Sequence, residues 1–241
     1  METQLSLNKT SIIIGLEIIG LLNHFIKKQQ LSQIFIIVDS NTRKYCLPAL
    51  LDHNNLLINS EIIEINPGES SKSFQVFNQI CSQLIALNID RNGLIINLGG
   101  GVICDIGGFV ASVIKRGVKF INIPTTLMSQ IDAAIGGKVA LNLHNHKNQI
   151  GLFSDPELII IYPPYLKSLL NADFVSAQAE ILKYGLISNV LFWRKVISMK
   201  ISKEDNLESL ILECIRMKIS IVNSDYYDYS ERRKLNFGHS I

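Results

Sequence analysis

Cysteine is scarce and scattered. The four thiols, Cys46, Cys81, Cys104 and Cys214, form no C-x-x-C pair, which argues against a disulfide framework or a cysteine metal site and predicts reduced, buried thiols. Charge imbalance is also lacking: 23 basic against 21 acidic residues leave a net charge of +2. With no run of like charge, no field over the whole molecule attracts a polyanion, so nucleic acid is not an expected partner and any basic site must be local. No apolar run approaches the roughly 20 residues of a membrane-spanning helix, although mean hydropathy is +0.24. The first ten residues are polar, without the basic start and apolar run of a signal peptide, and Glu17 interrupts the isoleucine-rich stretch behind them. A cytoplasmic protein with no membrane contact is expected. No internal repeat or low-complexity segment is present.

What is present is apolar substance: 47% of the 241 residues are hydrophobic, ample for a core covering most of the chain. Short β-branched runs alternate with longer amphipathic ones. Residues Ile34 to Asp39 are apolar up to the aspartate, as in a strand buried on both faces, and Glu61 to Ile65, Leu94 to Asn97 and Lys119 to Ile123 follow. Between them Ser71 to Leu87 carries Phe74, Val76, Phe77, Ile80, Cys81, Leu84 and Ile85 at helical spacing. Strands alternating with helices predict a parallel α/β sheet. After Pro163-Pro164 the pattern becomes almost entirely helical. The expected architecture is an α/β Rossmann-like domain with a parallel sheet over residues 1–170, then an all-α domain over 171–241.

Three loop-like motifs punctuate the apolar segments: Gly99-Gly100-Gly101-Val102-Ile103-Cys104-Asp105, Pro124-Thr125-Thr126-Leu127, and Asp132-Ala133-Ala134-Ile135-Gly136-Gly137-Lys138. Glycines let backbone N–H groups approach a pyrophosphate, and threonine hydroxyls, a carboxylate and a lysine suit a nucleotide cofactor beside an anionic substrate. The first motif lacks the third glycine of the dinucleotide fingerprint and follows a late strand, so alone it describes a tight turn equally well. Asp39-Ser40 ends a strand, where open parallel sheets place ligands. Glu180 and Lys183 share one helix face, as a solvated ion pair or as groups addressing one ligand. Lys218 points along the middle of the apolar stripe Leu207, Leu210, Ile211, Cys214, Ile215 and Val222, and a lysine facing inward needs an anion. Arg232, Asn236 and His239 recur at four and three residues, which a helical turn would bring to one face.

Taken in order, Gly99 to Asp105, Arg116-Gly117, Pro124 to Leu127, Asp132 to Lys138, Lys147-Asn148, Ala179 to Gly185 and Leu235 to His239 resemble the 3-dehydroquinate synthases and their sugar-phosphate cyclase relatives, over essentially the whole chain. The resemblance implies cyclisation of a phosphorylated seven-carbon sugar acid, 3-deoxy-D-arabino-heptulosonate 7-phosphate, to 3-dehydroquinate with release of phosphate, using NAD and zinc or cobalt. It assigns Asp39, Glu69, Lys72, Gly100, Gly101, Asp105, Thr125, Thr126, Asp132 and Ser168 to the cofactor, with Lys138 and Lys147 at its border. Lys138, Asn148 and Arg232 resemble anchors for phosphate or carboxylate; Lys147, Lys183, Lys218 and Asn236 resemble other substrate contacts. Glu180 and His239 resemble two of three metal ligands. Arg116 resembles a residue that reaches the neighbouring subunit's substrate, which implies a homodimer.

Other sugar-phosphate cyclases, acting on sedoheptulose or glucose phosphates, share the fold and cofactors, and metal-dependent polyol dehydrogenases share a related plan. The lysine and arginine set disfavours a neutral polyol. A third alternative is a truncated relative that binds NAD without turnover. With two of three metal ligands before Ile241, the chain as given is expected to bind zinc feebly and turn over little, since a full structural site contributes on the order of 10 kcal/mol. Metal analysis of the purified protein, with and without residues appended beyond Ile241, checks this; tight stoichiometric zinc in the short form would refute it.

Overall fold

The computed structural model describes residues 3–16, 18–52, 54–144 and 146–238. Seven strands form one sheet in the order β1-β2-β9-β6-β5-β3-β4: β1 (Thr3–Leu7), β2 (Thr10–Ile14), β3 (Ile34–Asp39), β4 (Glu61–Ile65), β5 (Leu94–Gly99), β6 (Lys119–Pro124) and β9 (Leu158–Ile161), while β7 (Lys138–Leu143) and β8 (His146–Phe153) form a separate antiparallel hairpin. All sheet neighbours are parallel except β1 with β2. The connecting helices are α1 (Ile18–Lys28), α2 (Ser40–Tyr45), α3 (Leu47–Asp52), α4 (Phe74–Ala86) and α5 (Gly101–Val113). Beyond β9 come a 3-10 turn over Pro163–Ser168, then α6 (Asn171–Ser188), α7 (Val190–Ile197) and α8 (Glu208–Ser224), and a 3-10 turn over Glu231–Asn236.

The strands are apolar throughout because both faces are covered. Phe35 and Ile37 of β3 pack with Ile80 and Leu84 of α4 and Val110 of α5, while Ile36 and Val38 face Leu22 of α1 and Leu47 of α3. Each such side chain taken from water contributes about 1.5–3 kcal/mol. At the other side of the sheet Ile12, Ile14, Ile159 and Ile161 join Ile181 of α6 and Ile211 and Ile215 of α8 in a third core, which also takes in Ile131 and Ala134. Among the described residues no helix is long and apolar enough to cross a membrane.

Strand order sets the position of the site. The chain leaves β3 outward to β4, then returns to the other side of β3 with β5. Parallel sheets open a crevice at the carboxyl ends where the order reverses, and those ends are Asp39 and Gly99. The glycine motif follows a late strand because the switch point lies between β3 and β5.

One close approach fixes α5 against the sheet. Buried Asn97 donates a 2.9 Å hydrogen bond from Nδ2 to Asn122 Oδ1 across β5 and β6, and a Cβ on Gly107 would sit 1.8 Å from Asn97 Oδ1. Gly107→Ala is therefore expected to push α5 off the sheet and lower stability by about 2 kcal/mol, read as a lower urea midpoint with an unchanged slope.

Candidate active site

Along one wall of the switch-point crevice, Gly100 is the N-cap of α5 and supplies no side-chain cap, leaving the first-turn N–H groups for a ligand. The turn is tight: a Cβ would come within 2.4 Å of Ile103 at Gly99 and within 2.9 Å of Thr126 Cγ2 at Gly100. Thr125 donates its N–H to Gly99 O at 3.0 Å, so the threonine loop closes over the glycine loop. Thr126 and Ser129 hydroxyls lie 2.8 Å apart. A phosphate on the exposed N–H groups matches this cradle, so these residues fit a dinucleotide. Asp39 caps α2, accepting from Thr42 N at 2.8 Å. Ser168 donates its hydroxyl to Tyr165 O at 2.8 Å beside Cys46.

A cleft of about 740 Å³ opens between the β7–β8 hairpin and the helices. Its lining includes Asp105, Asp132, Lys138, Lys147, Asn148, Lys218, Arg232 and Asn236. Eight residues nominated from the sequence thus meet in one place. Lys72 is buried and donates to both Asp105 and Asn148. Asn142 Oδ1 accepts from Asn148 N at 3.0 Å while its Nδ2 donates to Glu69 at 2.8 Å. Glu69 stands 3.9 Å from the exposed Lys147. Burial pushes the Asp105 carboxyl up to about 6 against the opposing pull of Lys72.

Charge is densest behind Asp132, which sits in a single π turn over Ser129–Ala133. Lys218 Nζ of α8 lies 2.5 Å from Asp132 Oδ1, and Tyr184 of α6 donates its hydroxyl to the same oxygen at 2.8 Å. Burial acts to raise the Asp132 carboxyl, yet Lys218 and Lys183 outweigh it and hold it below the usual carboxylate range. Burial lowers the Lys218 ammonium, with Asp132 opposing. Glu180 and Lys183 form an ion pair with side chains only 4% and 5% exposed, so the solvated alternative left open by their spacing does not apply. Lys183 also donates to Leu235 O at 2.6 Å. Burial, then the charge of Asp132, raise the Glu180 carboxyl, with Lys183 opposing.

Arg232 is 2% exposed. Its guanidinium donates to Tyr226 O at 2.6 Å and Gly136 O at 2.7 Å, lies over the Phe153 ring, and keeps a buried Nε without a partner. Among the described residues it forms no ion pair. Gly136 and Gly137 adopt φ of +99° and +69°, and a Cβ on Gly136 would press 2.5 Å from that guanidinium, so only glycines allow this approach.

Arg116 stands apart from the cleft lining on an exposed turn where Lys115, Arg116 and Gly117 all have positive φ. His239 lies outside the described residues. Among the described residues no group of three His, Cys, Asp or Glu could hold a metal; Glu180, whose buried carboxylate faces an ammonium that a divalent cation could replace, is the one nominated ligand described. Tyr184 and Asp225 were not foreseen. Gln130 is fully buried and donates to Pro124 O and Tyr162 O, both at 3.2 Å, joining the exits of β6 and β9. A polar residue in the apolar stretch after Leu127 was the available signal.

The fold is shared with solved synthases of low sequence identity. The whole chain superposes on 68% of a 2-deoxy-scyllo-inosose synthase complexed with carbaglucose-6-phosphate, NAD+ and Co2+, with TM-score 0.84 and 21% identity. It also superposes, over 99% of its length and 67% of the other's, on 2-epi-5-epi-valiolone synthase from Streptomyces hygroscopicus with NAD+ and Zn2+ bound, with TM-score 0.78 and 22% identity. Family models described as 3-dehydroquinate synthase N-terminal and C-terminal match residues 62–176 and 177–241. 3-Dehydroquinate synthase of Clostridium beijerinckii is 40% identical over 87% of this chain and 61% of its own length; that of Clostridium botulinum is 39% identical over 96% and 67%. The chain belongs to the 3-dehydroquinate synthase family, and spans roughly two thirds of the length of these relatives.

The buried pairs are open to a stability test. Asp132→Asn strands the Lys218 ammonium and is expected to cost about 3 kcal/mol, whereas adding Lys218→Met removes the stranded charge and recovers most of the loss. Urea unfolding of both single variants and the double variant measures the coupling.

Proposed function

We propose that this chain carries out, or supplies most of the site for, NAD- and metal-dependent cyclisation of 3-deoxy-D-arabino-heptulosonate 7-phosphate to 3-dehydroquinate with release of phosphate, a step of aromatic amino acid biosynthesis by the shikimate pathway. The observation that carries this is Arg232: a buried cation on the cleft wall, hydrogen-bonded only to neutral carbonyls and with one donor unmet, calls for an anionic ligand. Family membership and a pyrophosphate cradle facing the same region support the rest. When bound, the nicotinamide would take up and return a hydride, and zinc or cobalt, as in the neighbours' structures, would lower the pKa of the alcohol that gives it.

The chain's own residues hold and orient. Gly100, Gly101 and Asp105 would hold the pyrophosphate and nicotinamide side, with Asp39 toward the adenosine, Glu69 and Lys72 toward the ribose, and Thr125, Thr126, Asp132 and Ser168 completing the shell. Lys138, Lys147, Asn148 and Arg232 would pin the substrate's anionic groups. Lys183, Lys218 and Asn236 would fix its remaining polar groups, so that one pocket serves every step without the substrate leaving. Glu180 and His239 would be metal ligands. We assign nucleotide binding to residues 1–170 and metal and substrate binding to 171–241, and a homodimer in which Arg116 serves the partner's site.

Turnover tests this. With the keto-acid phosphate, NAD and zinc, phosphate release without net NADH is expected, and none with sedoheptulose 7-phosphate. NADH accumulation with glycerol and no reaction of the keto-acid phosphate would replace this reading with a polyol dehydrogenase.

A further inference from the structure

Two aspartates in the turn after α8 play opposite parts. Asp225 is saturated: its carboxylate accepts from Tyr229 N at 3.0 Å, Ser230 N at 2.6 Å and Arg232 N at 3.1 Å. Three backbone bonds of this kind build the turn. Within that turn Asp228 takes the left-handed region, at φ +62°, and lines the cleft. There Asp228 Oδ2 lies 2.6 Å from Lys138 Nζ, while Oδ1 is buried without a partner. The side chains are 21% and 45% exposed. A carboxylate with one oxygen unmet and a strained backbone is weakly held, and its partner is a lysine at the mouth of an anion cleft.

We propose that Asp228 is a tethered counter-ion, which Lys138 gives up when a phosphoryl group enters and takes back when inorganic phosphate leaves. The proposal rests on the reading of the cleft as a phosphoester site. The exchange keeps Lys138 neutralised in both states, so that a released phosphate faces a competitor already in place and departs more readily. Asp225 cannot serve, because leaving its three N–H donors would dismantle the turn. Arg232 cannot be neutralised in this way, because its hydrogen bonds go to carbonyls.

The test is binding of inorganic phosphate to the whole chain, followed by calorimetry and by the amide shifts of Gly136 and Gly137. Asp228→Asn is expected to tighten phosphate about fivefold, the worth of a partly exposed ion pair, and Asn tolerates the left-handed backbone, so the thermal midpoint should hold. Asp228→Glu keeps a carboxylate and should keep the weaker affinity. Lys138→Met should weaken phosphate and abolish the gain from Asp228→Asn. An unchanged or weaker affinity in Asp228→Asn, or a gain that persists beside Lys138→Met, would overturn the exchange; the latter would mean plain repulsion. Absence of cyclase turnover with these affinities intact would sink the proposed activity and leave the exchange standing.

Discussion

Asp132 is where the molecule is tied together. It stands on a π turn leaving the sheet, and it accepts one bond from Tyr184 of α6 and another from Lys218 of α8. Two helices distant in sequence are thereby held to the carboxyl edge of the sheet by a single carboxylate oxygen. Apolar contacts among Ile131, Ala134, Ile181 and Ile215 supply the bulk of the adhesion, but they are non-directional and would tolerate some sliding. The charged bonds set the register, and with it the width of the cleft between Asp132 and Arg232.

That tie explains why so many ions lie in one region despite the cost of desolvating them. Lys72 with Asp105 and Lys218 with Asp132 tie elements distant in sequence beside the cleft, while Lys183 pairs with Glu180 within α6. Each carboxylate offsets the charge of its own lysine, although burial, Arg232 and Lys183 still act to lower the Lys218 ammonium. Arg232 departs from this pattern, its guanidinium hydrogen-bonding to the backbone carbonyls of Gly136 and Tyr226 and to no carboxylate. Arg232 thus makes no direct ion pair among the described residues, although Asp228 and Asp132 act on it from a distance.

Much of this was legible in the sequence where a side chain's surroundings follow from its own element. The run Ile34 to Asp39 shows a strand buried on two faces, and Lys218 amid an apolar stripe shows a buried cation, because burial repeats with the period of the strand or helix. The β7–β8 hairpin was not legible: β8 is largely exposed on both faces, so no alternation marks it. Nor was the hairpin of β1 and β2 at the sheet edge, where Thr3 to Leu7 alternate over only five residues. Within the site, the glycine motif announced the tight turn that opens α5, yet the partners of Lys72 lie 33 and 76 residues away. Such pairings arise from topology, which local spacing does not encode.

The aromatic residues at the cleft mouth show how rigidity is achieved without further charge. Phe153 of β8 packs against Tyr226 and Tyr227, with ring centroids 5.3 Å apart in both cases, and Tyr226 donates its hydroxyl to Asp155 at 2.9 Å. Gly137 lies so close that a Cβ there would come within 2.6 Å of that hydroxyl. The hairpin, the glycine pair and the turn after α8 are thus locked by contacts that exclude any larger residue. Lys138 and Asp228 meet across this corner, and the backbone that carries Arg232 is braced by Asp225. A wall of this kind fixes the guanidinium of Arg232 through backbone contacts while Lys138 reaches the cleft from a half-exposed position.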